Sequence, residues 1–304
     1  MKRFGIPAIG ILALASTLYA SDMAATHRQE YEAWHKSRME SLASPDGWLS
    51  LAGLYWLNPG DNRFGSAEEN PVRFPDKAPA HMGTFTLRDG KVHVSLLPGT
   101  NVTSGGKPVL QMYLESDAKG EPTMLELGTL KWFVIQRADR FAIRIKDKES
   151  PALQTFKGVP TYPYDEGWRM DAKWDRYDPP KTLQVTNIVG QKFEEECPGA
   201  YVFQKDGKEY RLEPTREGNE LFLVFSDATT GRDTYGGGRF IYTDLPDSTG
   251  HVVLDFNRAY NPPCAFTAWA TCPLPTAQNK LAIKVEAGEK LNPNGVVAPG
   301  HTVN

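Results

Sequence analysis

Hydrophobic and polar residues alternate in short runs along most of the chain, and this period of two is typical of β-strands that bury one face. Two such runs, at 84–87 and 92–96, flank Asp89-Gly90. An Asp-Gly pair favours the positive backbone φ angles of a two-residue hairpin turn, so the pattern predicts a β-hairpin here. The same pattern predicts two further hairpins, at 131–135 with 141–145 and at 201–203 with 210–212.

Strand-like segments at regular spacing determine the predicted fold class. Four more of them lie at 182–189, 221–225, 252–256 and 281–285. Short strands separated by turn residues every 8–12 positions or so favour a sandwich or a barrel. The 27 glycines and 23 prolines fit a chain with many turns. We therefore predict a mainly β protein with an N-terminal β-sandwich, a C-terminal antiparallel β-barrel or sandwich, and one short N-terminal helix.

The first twenty residues follow a different pattern. Lys2 and Arg3 precede an apolar run from 4 to 18, and Ala20 follows as a small residue, which is the arrangement of a cleavable secretory signal. The apolar run is interrupted by glycine and proline and is shorter than the roughly 20 residues of a membrane span. The pattern predicts a signal peptide at residues 1–20 and an exported protein, periplasmic or extracellular, without a membrane span. A retained membrane anchor is the alternative.

Beyond the signal, the chain divides into three predicted parts. Thr26 and Gln29, three positions later, match a capping box and predict a short helix that ends near Leu42, within an N-terminal segment at 21–46. The stretch 157–168 is rich in turn-forming and aromatic residues and is a natural connection between two β modules. We place these modules at 47–155 and 156–304.

Net charge and the histidine and cysteine content restrict the partners and cofactors that we expect for this protein. The formal net charge of −3 is unlike that of a general nucleic-acid binder, so we expect no nucleic-acid partner. The histidines are scattered and lack the spacing of a metal site, so we predict no metal and no cofactor. In an oxidising compartment, Cys264 and Cys272 are the closest pair for a disulfide, although spacing does not determine connectivity.

The segment from Asp227 to Cys272 concentrates the polar chemistry of the chain. A glycine triplet at 236–238 lets backbone amides approach an anion, and nearby arginines can bind a carboxylate or phosphate with two hydrogen bonds each. We predict a C-terminal pocket for a small polar or anionic ligand. Its candidate binding residues are Arg232, Tyr235, Gly237, Arg239, Asp255, Asn257, Arg258 and Asn261. The alternative is a structural envelope protein in which these residues form a buried network around a tight turn.

A hydrolase is a further alternative. Two prolines present Cys264 rigidly, and a thiol nucleophile requires a base and an orienting acid, for which His251 and Asp227 are the candidates. A carboxylate mechanism would instead use acidic residues in the aromatic-rich connection, for which the candidates are Asp165, Glu166 and Asp171. The sequence leaves open whether the protein is an enzyme.

Four long motifs resemble those of a widespread bacterial domain family of unknown function. They read GWLSLAGLYWL at 47–57, FKGVPTYPY at 156–164, FSDATTGRDTYGGGRF at 225–240 and DFNRAYNPPCAF at 255–266. This resemblance implies membership of the family and no particular activity.

The N-terminal half also looks like a forkhead-associated β-sandwich, on the segments 60–66, 75–85, 105–109 and 127–128. The resemblance implies a sandwich over about residues 50–150, with His81 in a structural position. That family grips phosphothreonine with an Arg after its first Gly and a Ser shortly before its His. Ser66, Ala78 and Pro79 stand at these positions here, so we expect no binding of phosphothreonine.

Overall fold

Two hydrophobic cores organise the fold, one built from residues 57–145 and the other from residues 168–287. The computed structural model describes residues 9–292, with side chains from Asp22 onward except that of Lys119. Residues 1–8 of the predicted signal peptide and residues 293–304 lie outside the described part. Most described residues outside the N-terminal helix lie in strands or turns, so the prediction of a mainly β protein is confirmed.

Two sheets enclose the first core. Their strands are β1 (Leu51–Trp56), β2 (Gly60–Gly65), β3 (Val72–Arg73), β4 (Gly83–Arg88), β5 (Lys91–Leu96), β6 (Thr103–Ser104), β7 (Lys107–Pro108), β8 (Gln111–Leu114), β9 (Leu125–Leu127), β10 (Leu130–Arg137) and β11 (Arg140–Asp147). One sheet has the order β1-β11-β10-β9-β6-β7 and the other the order β3-β2-β4-β5-β8. Side chains from both sheets meet in the core, which gives the N-terminal half its two-layer arrangement.

The second core lies between two further sheets. Their strands are β12 (Arg169–Thr186), β13 (Lys192–Lys205), β14 (Lys208–Leu212), β15 (Thr215–Glu217), β16 (Glu220–Phe225), β17 (Arg239–Asp244) and β18 (His251–Asp255). One sheet has the order β14-β13-β12-β18 and the other the order β15-β16-β17. A short helix α2 (Pro151–Thr155) precedes this module. Single 3₁₀ turns occur at Trp48–Ser50, Asp117–Lys119, Glu166–Trp168, Phe256–Arg258, Pro263–Ala265 and Ala277–Asn279.

The three predicted hairpins are confirmed. Asp89 and Gly90 join β4 to β5 with φ angles of 50° and 69°, so the turn uses the positive φ values that this residue pair tolerates. β10 pairs with β11, and β13 pairs with β14 around Asp206 and Gly207, which have φ angles of 52° and 73°. In β11, every second residue from Phe141 to Ile145 faces the first core, as the alternation predicts.

The predicted strand at 281–285 is wrong, since these residues do not join a sheet in the described part of the chain. Two of their backbone groups bond to the neighbouring segment, since the N–H of Leu281 donates to the carbonyl of Ser226 and the carbonyl of Ile283 accepts from the N–H of Ala228. The N–H of Val285 donates to Asp227 Oδ2 at 2.7 Å, and its carbonyl accepts from Arg239 Nη2 at 2.9 Å. Buried backbone groups need partners, and isolated backbone bonds and side chains provide them here in place of a strand ladder.

The N-terminal helix α1 (Ile9–Leu42) is longer than predicted, and Thr26 is not its N-cap. The hydroxyl of Thr26 donates to the carbonyl of Asp22 at 2.9 Å, four residues earlier. This bond is typical of a threonine inside a helix, so the capping-box prediction is wrong. Within residues 9–292, no helix is both long and apolar enough to cross a membrane.

Arg38 attaches α1 to the C-terminal module. Its Nε lies 3.0 Å from Oε1 of Glu289, and its Nη2 donates to the carbonyl of Asn261 at 2.9 Å. Its guanidinium also lies over the ring of Tyr260, 4.6 Å from the centroid. The Glu289 side chain is 1% exposed, so the arginine neutralises a carboxylate that water does not reach. The last turns of the helix are therefore a fixed part of the second module.

We predict that Arg38→Met destabilises the protein by about 3–5 kcal/mol, because it leaves the Glu289 carboxylate buried without its cationic partner. Urea unfolding measures this loss. Lys36→Met is the matched control, since Lys36 lies on the same helix with its side chain 79% exposed, and it should change stability by less than about 0.5 kcal/mol. Equal stability of the two variants would contradict the assigned role of Arg38.

Candidate functional site

Arg239 and Asp227, two of the predicted site residues, form a fully buried ion pair at 3.3 Å. Both side chains are 0% exposed. Arg239 also donates to the carbonyls of Val285, Ala287 and Glu289, and Asp227 accepts from the hydroxyls of Thr229 and Thr230. The pair fixes the C-terminal segment against β17, and it lies on no open cavity.

The glycine triplet beside Arg239 is a tight turn. Gly238 has a φ angle of 84°, and a side chain there would place Cβ 2.5 Å from the carbonyl oxygen of Phe225. A Cβ on Gly237 would lie 2.6 Å from the ring of Tyr235, whose hydroxyl donates to the carbonyl of Cys264 at 3.1 Å. The glycines thus allow close packing within the protein. Arg232, in the preceding turn, is exposed.

The other predicted binding residues also bond within the fold. Asn257 is 1% exposed, and its side chain bonds both backbone groups of Asp165 at 2.9–3.0 Å. The carboxylate of Asp255 accepts from the Asn257 amide, while Arg258 lies near Asp255 and Glu30 at 3.7 and 3.8 Å. The backbone N–H of Asn261 donates to Glu289 at 2.7 Å. This set joins the strand end at Asp255 to helix α1 and to the aromatic-rich connection.

The structure does not bring the candidate catalytic residues together. His251 is half-exposed and bonds Asp171 at 2.9 Å, and this carboxylate raises the pKa of the imidazole. Cys264 is buried instead in an apolar cluster with Phe222 and Phe240. Asp227 binds Arg239. A Cys264–His251–Asp227 triad is therefore not formed. Of the remaining carboxylate candidates, Glu166 accepts from Tyr164 at 2.6 Å and from His27 at 2.7 Å.

The three cysteines are free, so the predicted disulfide between Cys264 and Cys272 is not formed. The backbone N–H of Cys264 donates to Sγ of Cys272 at 3.2 Å, which makes that sulfur a hydrogen-bond acceptor. The hydrogen bond from Cys272 lowers the pKa of the Cys264 thiol, whereas burial raises the pKa of Cys272. Burial also raises the pKa of Cys197 to about 11.

A cavity of about 690 Å³ lies elsewhere, between the two β modules. We call it the interface cavity. Its volume falls within the roughly 300–1,000 Å³ that ligand pockets occupy. The end of the β10–β11 hairpin forms one wall, and the β12–β13 hairpin with the sheet of β15, β16 and β17 forms the other. The second wall is largely apolar and includes Leu183, Val185, Phe193, Phe222, Val224 and Phe240. None of the predicted site residues lines this cavity.

Arg144 is the most unusual residue of the interface cavity. It is 4% exposed, and its Nε and Nη2 atoms are buried without a hydrogen-bond partner among the described residues. Its guanidinium lies 5.4 Å from the ring centroid of Trp48. Burial, and then the like charge of Arg137, lower the pKa of Arg144 to about 10. Thr276, on the opposite wall, also has a buried hydroxyl without a partner.

The position of Arg144 in the sheet explains its burial. It lies in β11 opposite Phe133 of β10 and Leu54 of β1, on the face away from the first core. Phe133 and Ile135 are buried on this outer face too, so both faces of the sheet are covered. The continuous apolar run at 132–135 is the sequence signal for a strand that is buried on both faces. Because this strand, β10, pairs with β11 in the predicted hairpin, the run also indicates that Arg144 is a buried charge.

Two other charged residues of the cavity, Arg137 and Glu213, have partners. Arg137 donates through Nη1 to both carboxylate oxygens of Asp117 at 2.9 and 3.1 Å. Across the cavity, Glu213 accepts from Lys181 at 2.8 Å and from the hydroxyl of Tyr177. Among the described residues, no group of three or more His, Cys, Asp or Glu side chains is arranged to hold a metal ion. Arg144 therefore differs from Arg239 in degree: Nε of Arg239 is also buried without a partner, but the rest of its guanidinium bonds Asp227 and three backbone carbonyls.

A comparison with known protein families finds a match in the C-terminal module. Residues 154–290 match the profile of the family described as "Protein of unknown function (DUF1684)". The solution NMR structure of an uncharacterized protein from Haloarcula marismortui is 30% identical in sequence, over 45% of this chain and 78% of that chain. Its TM-score of 0.39 is too low to support a conclusion about the fold. The chain matches no curated protein. The forkhead-associated resemblance is not confirmed and stays a prediction.

We predict that Arg239→Met destabilises the protein by about 3–5 kcal/mol, because Asp227 and three carbonyls lose a buried cationic donor. Thermal melting and urea unfolding measure the effect. Arg232→Met removes an exposed arginine from the turn that precedes the glycine triplet, and it should melt within a few degrees of the parent protein. If Arg239→Met melts like the parent, the ion pair does not hold the C-terminal segment.

Proposed function

We propose that the protein binds a small anionic ligand with an apolar body in the interface cavity, and that Arg144 holds the acid group. The ligand class is the one that the sequence predicts, whereas the proposed site is new. One observation carries the proposal: Arg144, whose buried guanidinium has two unpartnered nitrogens, is among the residues that line a cavity of about 690 Å³.

The burial of Arg144 without a partner lowers the stability of the ligand-free protein. A charged group removed from water loses several kcal/mol of solvation unless hydrogen bonds and an opposite charge replace it. Within the described part of the chain, Arg144 forms no hydrogen bond or ion pair, and the ring of Trp48 provides only a cation–π contact. A ligand acid group would provide both the charge and the acceptors that are lacking.

The geometry of a guanidinium indicates the kind of acid group. Adjacent N–H donors on Nε and Nη2 match the two oxygens of a carboxylate, and they match phosphate equally well. These are the two nitrogens of Arg144 that lack partners, and since both are buried in the free protein, the side chain must turn toward the cavity to present them to a ligand. A ligand bound in this way would accept two parallel hydrogen bonds.

The rest of the cavity favours an apolar ligand body. Phe193, Phe222 and Phe240 contribute aromatic surface, and aliphatic side chains of β12 and β16 extend it. Contact with such walls removes apolar ligand surface from water at roughly 25 cal/mol per Å². A medium-chain carboxylic acid is the simplest molecule with these properties.

Export is a separate part of the proposal. It is supported by the basic start and the interrupted apolar run at residues 1–20. An exported binding protein would meet its ligand outside the cytoplasm.

We predict that Arg144→Met abolishes the preference for an acid. In calorimetric titrations, the parent protein should bind decanoic acid at least about tenfold more tightly than decanol, because only the acid pairs with Arg144. Arg144→Met should bind both equally. Removal of an unpaired buried charge should also leave the free protein as stable as before or stabilise it by about 1 kcal/mol or more.

The control is Arg140→Met, in the same strand, where an exposed arginine stacks on Trp56 outside the cavity. It should bind like the parent. Unchanged binding of decanoic acid by Arg144→Met would contradict the proposal, and a large loss of stability in that variant would indicate a structural role.

We further predict that the exported protein begins at Ser21, because cleavage should follow Ala20. N-terminal sequencing of protein recovered from the exported fraction of expressing cells measures this. A variant with Glu at positions 2 and 3 should stay inside the cell. Exported protein that still begins at Met1 would contradict the predicted cleavage.

A further inference from the structure

Glu195 lies at an unexpected place on the wall of the interface cavity. In the β12–β13 hairpin it pairs with Leu183, while Phe193 pairs with Val185 two positions away. Side chains two residues apart share one face of a strand, so Glu195 projects on the same face as these three apolar residues. All four line the cavity. The neighbouring Glu194 and Glu196 are exposed.

Glu195 also lacks a partner. Among the described residues it forms no hydrogen bond and no ion pair, although its side chain is half-buried. Burial, and then the neighbouring carboxylate of Glu217, raise its pKa. Glu217 itself accepts from the hydroxyl of Tyr242 at 2.7 Å. A second carboxylate near Glu195 adds to the negative potential on this side of the cavity.

Two other acidic residues of the cavity already have hydrogen-bond partners, so they are not free to bind a cation. Glu213 is bonded to Lys181, and Glu194 accepts from the amide of Gln184 at 2.6 Å. No metal-binding group of three or more side chains occurs in the part of the chain that the structure describes. An organic cation fits two carboxylates more simply than a divalent metal ion does, because a metal ion needs more oxygen ligands.

Arg144 and Glu195 line the same cavity and do not pair with each other. The two unpartnered groups have opposite charge, and the largely apolar cavity lies between the strands that carry them. A molecule that neutralises both would carry an acid at one end and a cation at the other, with an apolar segment between them.

We propose that the ligand of the interface cavity is zwitterionic, with its acid group on Arg144 and an ammonium group on Glu195. This inference rests on the proposed function, since it assumes that Arg144 holds an acid. It narrows the ligand class from any apolar acid to amino acids whose amine is separated from the carboxylate by an apolar chain.

The test compares unsubstituted carboxylic acids with their ω-amino derivatives, from hexanoic to dodecanoic acid, by calorimetric titration. At one chain length in the series, the ω-amino acid should bind about tenfold more tightly than the acid of the same length, because a charge-assisted hydrogen bond to Glu195 is added. Glu195→Gln should remove this gain, and it should bind the unsubstituted acid at least as tightly as the parent does, because a negative charge is removed from the cavity.

Glu196→Gln is the matched control, because it makes the same change of charge in the same strand at an exposed position. It should keep the gain. Loss of the gain in both variants would overturn the proposal, since the effect would then come from net charge alone. Equal binding of acids and ω-amino acids by the parent would also overturn it, while the role of Arg144 would stand. Failure of every compound to bind the parent would overturn both proposals.

Discussion

The C-terminal module depends on the buried ion pair between Arg239 and Asp227. The segment at 285–289 joins no sheet, and Arg239 and Asp227 provide partners for four of its backbone groups: three carbonyls accept from the guanidinium, and the N–H of Val285 donates to the carboxylate. Gly288 and Glu289 also bond to the backbone of Tyr162 and Ala259. Because Glu289, at the end of this segment, holds Arg38, the position of helix α1 depends on the same pair.

Two buried arginines have opposite surroundings in this protein. Arg239 has a carboxylate and three carbonyls as partners, and its charge serves to position the backbone. Arg144 has a cation–π contact with Trp48 but forms no hydrogen bond or ion pair with the described residues, so its charge is free to pair with a ligand. Natural proteins keep such unpaired buried charges where function requires them, since they lower the stability of the free protein. The number of partners, rather than burial alone, separates the structural arginine from the candidate binding residue.

The errors of the sequence-based predictions have physical causes. A polar-rich segment such as 227–261 is equally typical of a ligand site and of a saturated internal network, because both use the same side chains. Thr26 matches a capping pattern, but the preceding residues are also helical, so its hydroxyl bonds backward along the helix. The run 281–285 alternates like a strand, yet it forms only isolated backbone bonds to the segment at 226–228 and joins no sheet. In each case the sequence pattern is present, but other residues of the chain determine which groups the side chain or backbone bonds to.

The sequence by itself determined the features that depend on neighbours along the chain. These are the mainly β class, the Asp-Gly hairpins and the alternation that puts Ile143 and Ile145 into the first core, because turn geometry and a period of two are local properties. Only the tertiary structure decided the site. The interface cavity exists because the outer face of one sheet meets a hairpin some forty residues later in the chain, which turns Arg144 and Glu195 from ordinary outward-facing polar residues into unpartnered charges on facing walls. No local pattern encodes which surfaces of two modules will cover each other.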